Sequence, residues 1–439
     1  MNGAKLMKSK KLGAVLALVV LVIAVMLVIG GGLLTLGANA RIYAIRTAAD
    51  ISARCAADAG LTEAIAVMNG NPSYYVNNPP QQLDFILLRG SEPAATFNYT
   101  VTAPENKFRI VSTGTCNVAQ RKVWGLLRLR GVGEIGVLVR NSMILKAGTT
   151  VDGSDSRDPD NPNPDVEVQI GTASTAANMV VLNNGVHVNG DVLVGYGGNP
   201  DTGIKDLTND PCAIEGYKGT LDEEPEFPPV TPPLLPNYSP KEVSATGKAL
   251  TIDETWNGTY SMINLKSKGE ATGQVGELGR PGRLIIASGN NVVLHLTNTG
   301  NKDSISLGVN CEIIIEKGAT LNLYVDGDIS SGTGSGFNNQ GLPPDLKLWG
   351  LTQDPLPADA QQKWQLNAKS EYFGQIYAPE ATVQVNNSGD LYGAFTAYNF
   401  TMMNSGNLYY DGALRDVNPN DPGVRFVLKR WGEGEENLP

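Results

Sequence analysis

Between Lys11 and Arg41 the chain carries no charged side chain, and no other feature limits the possible folds so strongly. The centre of this run, residues 16–29, reads Leu-Ala-Leu-Val-Val-Leu-Val-Ile-Ala-Val-Met-Leu-Val-Ile. About 20 apolar residues cross a hydrocarbon core of about 30 Å. A surface helix of a soluble protein keeps a polar face, and this run has none. The competing reading is a cleaved signal peptide, whose apolar region is only about 7–15 residues long. The run here is longer, and the nearest small-x-small sequence is Ala38-Asn39-Ala40. A single membrane span is expected. Lys5, Lys8, Lys10 and Lys11 precede it, and such an excess of basic residues marks the cytoplasmic side. Arg41 and Arg46 follow it, in a segment that also carries Asp50 and Asp58. The expected location is the cell inner membrane, single-pass, with the bulk of the chain extracytoplasmic. A net charge of −10 and a pI near 4.9 exclude nucleic acid as a partner, because phosphate binding needs a basic face.

The helical pattern continues beyond the span. Ile45, Ala49, Ser52, Ala56, Ala59 and Glu63 fall at three- and four-residue steps in a proline-free, alanine-rich stretch, a composition that favours helix. Asn69-Gly70-Asn71-Pro72 is a strong stop, since glycine accepts a left-handed cap and proline cannot continue. Within the segment 13–70, Gly13 to Met68 are thus expected as one helix of about 80 Å at 1.5 Å per residue. Ala56, Ala59 and Gly60 form a stripe of small residues on its outer half, which admits close approach of another backbone. Gly30-Gly31-Gly32 is a candidate bend, since each glycine weakens a helix by about 1 kcal/mol, although glycine is also common in membrane helices.

A lysine-rich leader (residues 1–12), then Gly13-Ala14, the apolar helix, and Ala56-Ala57-Asp58-Ala59-Gly60-Leu61-Thr62-Glu63-Ala64 together resemble the PilX-type N-terminal region of type IV pilus assembly proteins. The resemblance covers residues 5 to 130. It implies cleavage after Gly13, a mature start at Ala14, and entry of the new N-terminus into a helical bundle of pilin-like subunits, so that the protein joins an extracellular pilus. Major pilins carry a glutamate five residues into the mature chain, which pairs with a neighbour's terminal amine. Leu18 occupies that position here, which points to a minor pilin of the tip or initiating kind.

Beyond the helix, residues 97–101, 107–111 and 123–129 are short, roughly alternating apolar runs, expected as a small antiparallel sheet within residues 71–135. From 136 onward helical periodicity nearly vanishes. Val383, Val385, Asn387 and Leu391 recur 17 residues later as Phe400, Met402, Asn404 and Leu408. A fixed-period strand and turn repeat suggests a solenoid, here a parallel β-helix in preference to a β-sandwich, with those apolar residues pointing inward. The fold class is α+β: a pilin-like helix with a small sheet, then a β-solenoid. Residues 136–198 are its first part, 199–245 a proline-rich exposed loop, 246–420 its main part and 421–439 a tail. Residues 331–365 also read as a surface loop. Residues 374–414 resemble a domain of undefined function found attached to PilX-like N-termini in environmental bacteria.

Chemical motifs are sparse. His187 and His295 sit inside strand-like runs, and no His/Cys spacing suits zinc. Gly332-Thr333-Gly334-Ser335-Gly336 lacks the lysine and following helix of a phosphate loop and reads as a flexible turn. Asp152, Asp155, Asp158 and Asp160 offer oxygen ligands for calcium, but prolines at 159, 162 and 164 break the EF-hand pattern. Cys55, Cys116, Cys212 and Cys311 allow three pairings when all four are joined, and an oxidising compartment permits a bridge; Cys212 with Cys311 is the expected one, both lying in the outer region. No cofactor is expected. Three functions remain open: a surface-displayed minor pilin-like structural or adhesive subunit without catalysis, a membrane-tethered carbohydrate-active enzyme using two carboxylates (with Asp326, Asp328, Glu312 and Glu316 as the candidates), and a passive envelope scaffold. The first is preferred, with a surface ligand or polysaccharide as a further partner.

Overall fold

The computed structural model describes residues 5–78, 82–87, 95–103, 108–158, 160–161, 166–268, 280–299, 302–351, 357–367, 372–386, 389–403 and 406–434. The chain divides into two compact units, Met1–Leu129 with Phe426–Pro439, and Arg130–Arg425. In sequence, the second is inserted into the first.

In the first unit a single helix, α1 (Lys5–Asn69), runs without a break, straight through Gly30-Gly31-Gly32. It stops as its sequence dictates, with Gly70 N donating to the carbonyls of Ala66 and Val67 at 3.1 and 3.2 Å. Asn71 then caps the short α2 (Pro72–Asn77), its side chain accepting from Tyr74 N at 3.0 Å. Four strands follow as an antiparallel meander: β1 (Gln82–Leu87), β2 (Ala95–Thr102), β3 (Phe108–Cys116) and β4 (Ala119–Arg130). The β3–β4 hairpin turns on two residues, with Asn117 at φ 54°, the positive φ that tight hairpins favour. A fifth strand, Arg425–Glu433, borders β4. Within residues 421–439, expected as a tail, the strand Arg425–Glu433 thus belongs to this sheet.

The strands alternate because one face meets α1. Along β3, Phe108, Ile110, Ser112, Gly114 and Cys116 are buried while the residues that alternate with them are not. They pack with Ala49, Ala53, Ala56, Ala57, Leu61, Ala64 and Met68 of α1. The approach is so close that a Cβ at Gly114 would overlap the Ala53 carbonyl oxygen and the Ala57 nitrogen. At the end of α1, Asn69 bonds to the fifth strand in the manner of a strand neighbour. Its Oδ1 accepts from Phe426 N at 2.6 Å and its Nδ2 donates to Phe426 O at 3.1 Å.

Among the described residues of the second unit, every registered strand pair is parallel. One ladder links Gly258–Tyr260, Asn291–Leu296, Thr320–Val325, Leu346–Gly350, Tyr372–Val385, Leu391–Met402, Val137–Val139, Gln169–Thr172, Asp191–Val194 and Lys218–Thr220 in that spatial order. A second runs from Val243–Thr246 through Ile263–Lys266, Asp303–Leu307, Asp328–Ser331 and Gln362–Leu366, then the later halves of the same two long strands, to Met143–Leu145, Val180–Leu182 and Ile204–Asp206. Further parallel strands include Ala249–Ile252, Arg283–Ile286, Glu312–Ile315 and Gly336–Asn339. One apolar core fills the space between them, with Val383, Val385, Leu391, Phe400, Met402 and Leu408 all at 0–2% exposure. The 17-residue offset of the repeat is the pairing register, Val383 beside Phe400 and Leu391 beside Leu408. Asn387 and Asn404 lie outside the described residues.

Spatial order and chain order differ. The chain enters at Val137–Val139, in the middle of the ladder, and builds outward to Lys218–Thr220. It then re-enters at Val243–Thr246, at the far end, and works back until Leu391–Met402 pairs with Val137–Val139 and Met143–Leu145. Asn399 closes this seam: its Oδ1 accepts from Asn141 Nδ2 (2.9 Å), Ser142 N (3.2 Å) and Ser142 Oγ (2.8 Å), and its Nδ2 donates to Thr382 Oγ1 (3.1 Å).

Two expectations need correction here. Residues 199–245 are not all an exposed loop: Ile204–Asp206 and Lys218–Thr220 are ladder strands, and the proline-rich stretch after them is a strap. Leu221 and Phe227 of the strap pack on Leu138 and Leu193. Val230, 4% exposed, covers Tyr324, Trp349 and Tyr377, and Tyr377 OH donates to Pro228 O at 2.8 Å. Residues 331–365 likewise contain the strands Gly336–Asn339, Leu346–Gly350 and Gln362–Leu366, with Trp349 and Trp364 each 1% exposed. The apolar residues of these segments find the core or the outer sheet face despite the prolines around them.

Candidate functional site

The most distinctive surface of the molecule is the first half of α1. From Val15 to Leu36 its large apolar side chains are 46–77% exposed on every side, Leu18 among them at 64%. This stretch is about 33 Å long at 1.5 Å per residue, and it is long and apolar enough to cross a membrane. Burying apolar surface is favourable by about 25 cal/mol per Å², so an apolar cylinder of this kind requires lipid or other helices around it. Gly13 and Ala14 belong to the helix, but their surroundings fall outside the described residues.

The second half of α1 differs from expectation. Ala56 and Gly60 are buried against the unit's own sheet, and Ala59 packs at the edge of the same core. A Cβ at Gly60 would overlap Ser112 Oγ and press on Phe97. The small-residue stripe is therefore occupied within the subunit and leaves no groove for another chain's backbone. What remains open past the apolar stretch is Ile42, Tyr43, Ile45 and Ile51, 47–68% exposed. Sequence periodicity gives the small and the large apolar residues of this segment equal standing; only the sheet distinguishes them.

Among the described residues no three His, Cys, Asp or Glu side chains group to hold a metal. The aspartate run is dispersed. Asp152 accepts from Asn189 Nδ2 at 2.8 Å, and Asp158 and Asp160 point to solvent. Asp155 is held by Arg157 at 2.5 Å, whose hydrogen bond keeps its carboxyl below the usual range. The Cys212–Cys311 bridge does not form, and none of the four cysteines is joined in a disulfide. Cys311 is buried beside Ser267 Oγ, whereas Cys212 is exposed near Ile214 at the opposite end of the strand array. About seven strand spacings, roughly 30 Å, separate them, against the roughly 7 Å limit for a disulfide.

His187 bonds to Glu215 at 3.0 Å and His295 to Asp326 at 2.9 Å. The glycine loop at 332–336 is an ordered turn, Gly332 N donating to Leu307 O at 2.7 Å and Ser335 Oγ to Gly332 O at 2.6 Å. The carboxylates considered for glycoside chemistry already have partners: Glu312 pairs with Arg283 at 3.2 Å, Glu316 accepts from Ser288 N at 3.0 Å, and Asp328 accepts from Lys363 N at 2.7 Å. Burial, and to a smaller extent the nearby Asp303 charge, raise the carboxyl pKa of Asp328.

One arrangement has no motif in the sequence. Lys347 Nζ meets Asp421 Oδ2 at 2.5 Å, with the two side chains only 10% and 18% exposed. They line a cavity of about 20 Å³ with Val132, Pro344, Trp349 and Leu414.

The architecture defines an α+β protein with one long, apolar N-terminal helix and a large domain of parallel strands. A family model described as a domain of unknown function (DUF7305) matches residues 283–417, within the later-made part of the strand array. No curated protein matches. Among solved structures, the chain is similar to the competence-associated pilin ComZ from Thermus thermophilus, 13% identical over 88% of this chain and 97% of that one, with a TM-score of 0.22. A superposition at that level transfers neither fold nor function.

Proposed function

We propose that the chain is a membrane-anchored, surface-displayed minor pilin-like component of a type IV pilus-related system, with a structural or adhesive role and no catalysis. The division of α1 carries this reading. One unbroken helix is bare and apolar over its first half, while its second half is docked by small residues onto an antiparallel sheet. The bare half serves first as a single-pass anchor in the inner membrane, with Lys5 to Lys11 on the cytoplasmic side. After cleavage between Gly13 and Ala14, as the PilX-type resemblance implies, it packs against the helices of other pilin-like subunits. Leu18 offers no carboxylate for a neighbour's terminal amine, which favours a minor subunit over a major one. The unit of parallel strands is a parallel β-helix displayed outside the cell; the ladders and the single core between them support this. Peptide mass spectrometry of the envelope protein tests the reading. A mature start at Ala14, with recovery in sheared filaments, is the expected outcome. An intact Met1 and absence from filaments would leave a plain anchor, and a start near Arg41 would remove the anchor.

A further inference from the structure

We propose that Lys347 and Asp421 form an intramolecular isopeptide bond, a covalent clip that no disulfide chemistry is needed to make. The contact is 2.5 Å between Nζ and Oδ2, and both side chains are largely withdrawn from water at 10% and 18% exposure. Lys218 and Asp206, which pair at 3.0 Å, remain 48% and 27% exposed and are an ordinary surface pair. Val132, Trp349, Leu414 and Val424, together with the polar side chains of Gln375 and Asp416, wall the cavity around Lys347 and Asp421. Condensation requires one proton to pass from the ammonium to the carboxylate, which leaves a neutral amine facing a neutral acid. Lysine can take this path and arginine cannot, because a guanidinium does not give up its proton in proteins.

The bond follows by condensation. The Lys347 nitrogen lone pair attacks Asp421 Cγ, the tetrahedral adduct loses one nitrogen proton, and the carbonyl re-forms as the hydroxyl leaves with that proton as water. Reactants and products balance as one amine and one carboxylic acid giving one amide and one water, with no redox step. Burial raises the carboxyl pKa of Asp421, while the charge and hydrogen bond of Lys347 act on it in the opposite sense. Holding the two groups in contact supplies an effective concentration on the order of 10⁵ M or more, enough to drive an amide bond that dilute reactants in water do not form. The clip closes a loop of 74 residue steps around Gln362–Leu366, Tyr372–Val385, Leu391–Met402 and Asn407–Asp411.

The test uses the full-length chain purified in detergent, then denatured, digested with trypsin and weighed. The expected product is a branched peptide joining residues 318–363 to residues 416–425, lighter than the sum of its parts by one water, with no cleavage after Lys347. K347A and D421A should each lose it. Cleavage after Lys347 and two separate peptides of full mass from the native protein would overturn the proposal and leave an ion pair. The readout is independent of N-terminal processing, so it stands or falls apart from the pilin reading.

Discussion

Three side chains make local demands that can be measured one at a time. Gly114 lies against the backbone of α1, so Gly114→Val cannot be relieved by a rotamer change. Overpacking usually costs about 1–3 kcal/mol, and a backbone collision belongs at or above the top of that range. The expected result is a clear fall in the unfolding temperature of the first unit, with helix content retained in detergent. Asn69 holds Phe426 by two hydrogen bonds; Asn69→Ala should cost about 1–3 kcal/mol and show as faster proteolysis of the fifth strand. Asp411 is fully buried, accepting from Ser156 and Ala413 N, and burial raises its pKa above 3.8. The folded protein therefore binds this proton more tightly than the unfolded chain does. Its carboxyl favours folding most at low pH, and that contribution is lost as pH rises from about 3.8 through the raised value. Asp411→Asn keeps an acceptor without a charge, so its melting temperature relative to the native protein should be greatest at neutral pH and should shrink toward pH 4.

At the scale of elements, the seam and the strap test how the strand array holds together. Asn399→Ala removes a side chain serving Asn141, Ser142 and Thr382 and leaves the Ser142 N–H without that acceptor. Each partly buried group left unmatched costs about 1–3 kcal/mol, so the denaturation midpoint of the second unit should drop while its slope stays unchanged. Restoration by Asn399→Asp, which keeps the acceptor, would separate hydrogen bonding from packing. Some of this architecture is legible in sequence. Val383 and Phe400 announce their pairing because both sit in the same strand and turn phrase, 17 residues apart, with period-2 burial. Other elements stay hidden for physical reasons. The strand Arg425–Glu433 contains Lys429, Arg430 and Trp431, which read as a polar tail because their partner strand, β4, lies about 300 residues earlier. Val230 is a single apolar residue among prolines, and it reads as part of a strap only once Tyr324, Trp349 and Tyr377 come together from three separate strands. Lys347 and Asp421 are ordinary charges until folding removes their water.

On the scale of the whole chain, the strap gives a cleaner test than any point change. Leu234 is fully exposed, so a protease site placed there should cut without disturbing the fold. The two fragments should then elute together in native detergent and separate only on denaturation, because the seam joins strands made at opposite ends of the insert. Independent elution would mean that the seam contributes little. The order of the ladder also sets a timetable for synthesis. Asn141 and Asn399 meet across 258 positions, and at roughly 5–20 residues per second the ribosome takes about 13–50 s to deliver the second after the first. Through that interval the open edge of Val137–Val139 has no partner of its own chain and is available to any other extended chain. A protein with this topology is most vulnerable as a half-made molecule, and whatever shields that edge in the meantime determines its yield.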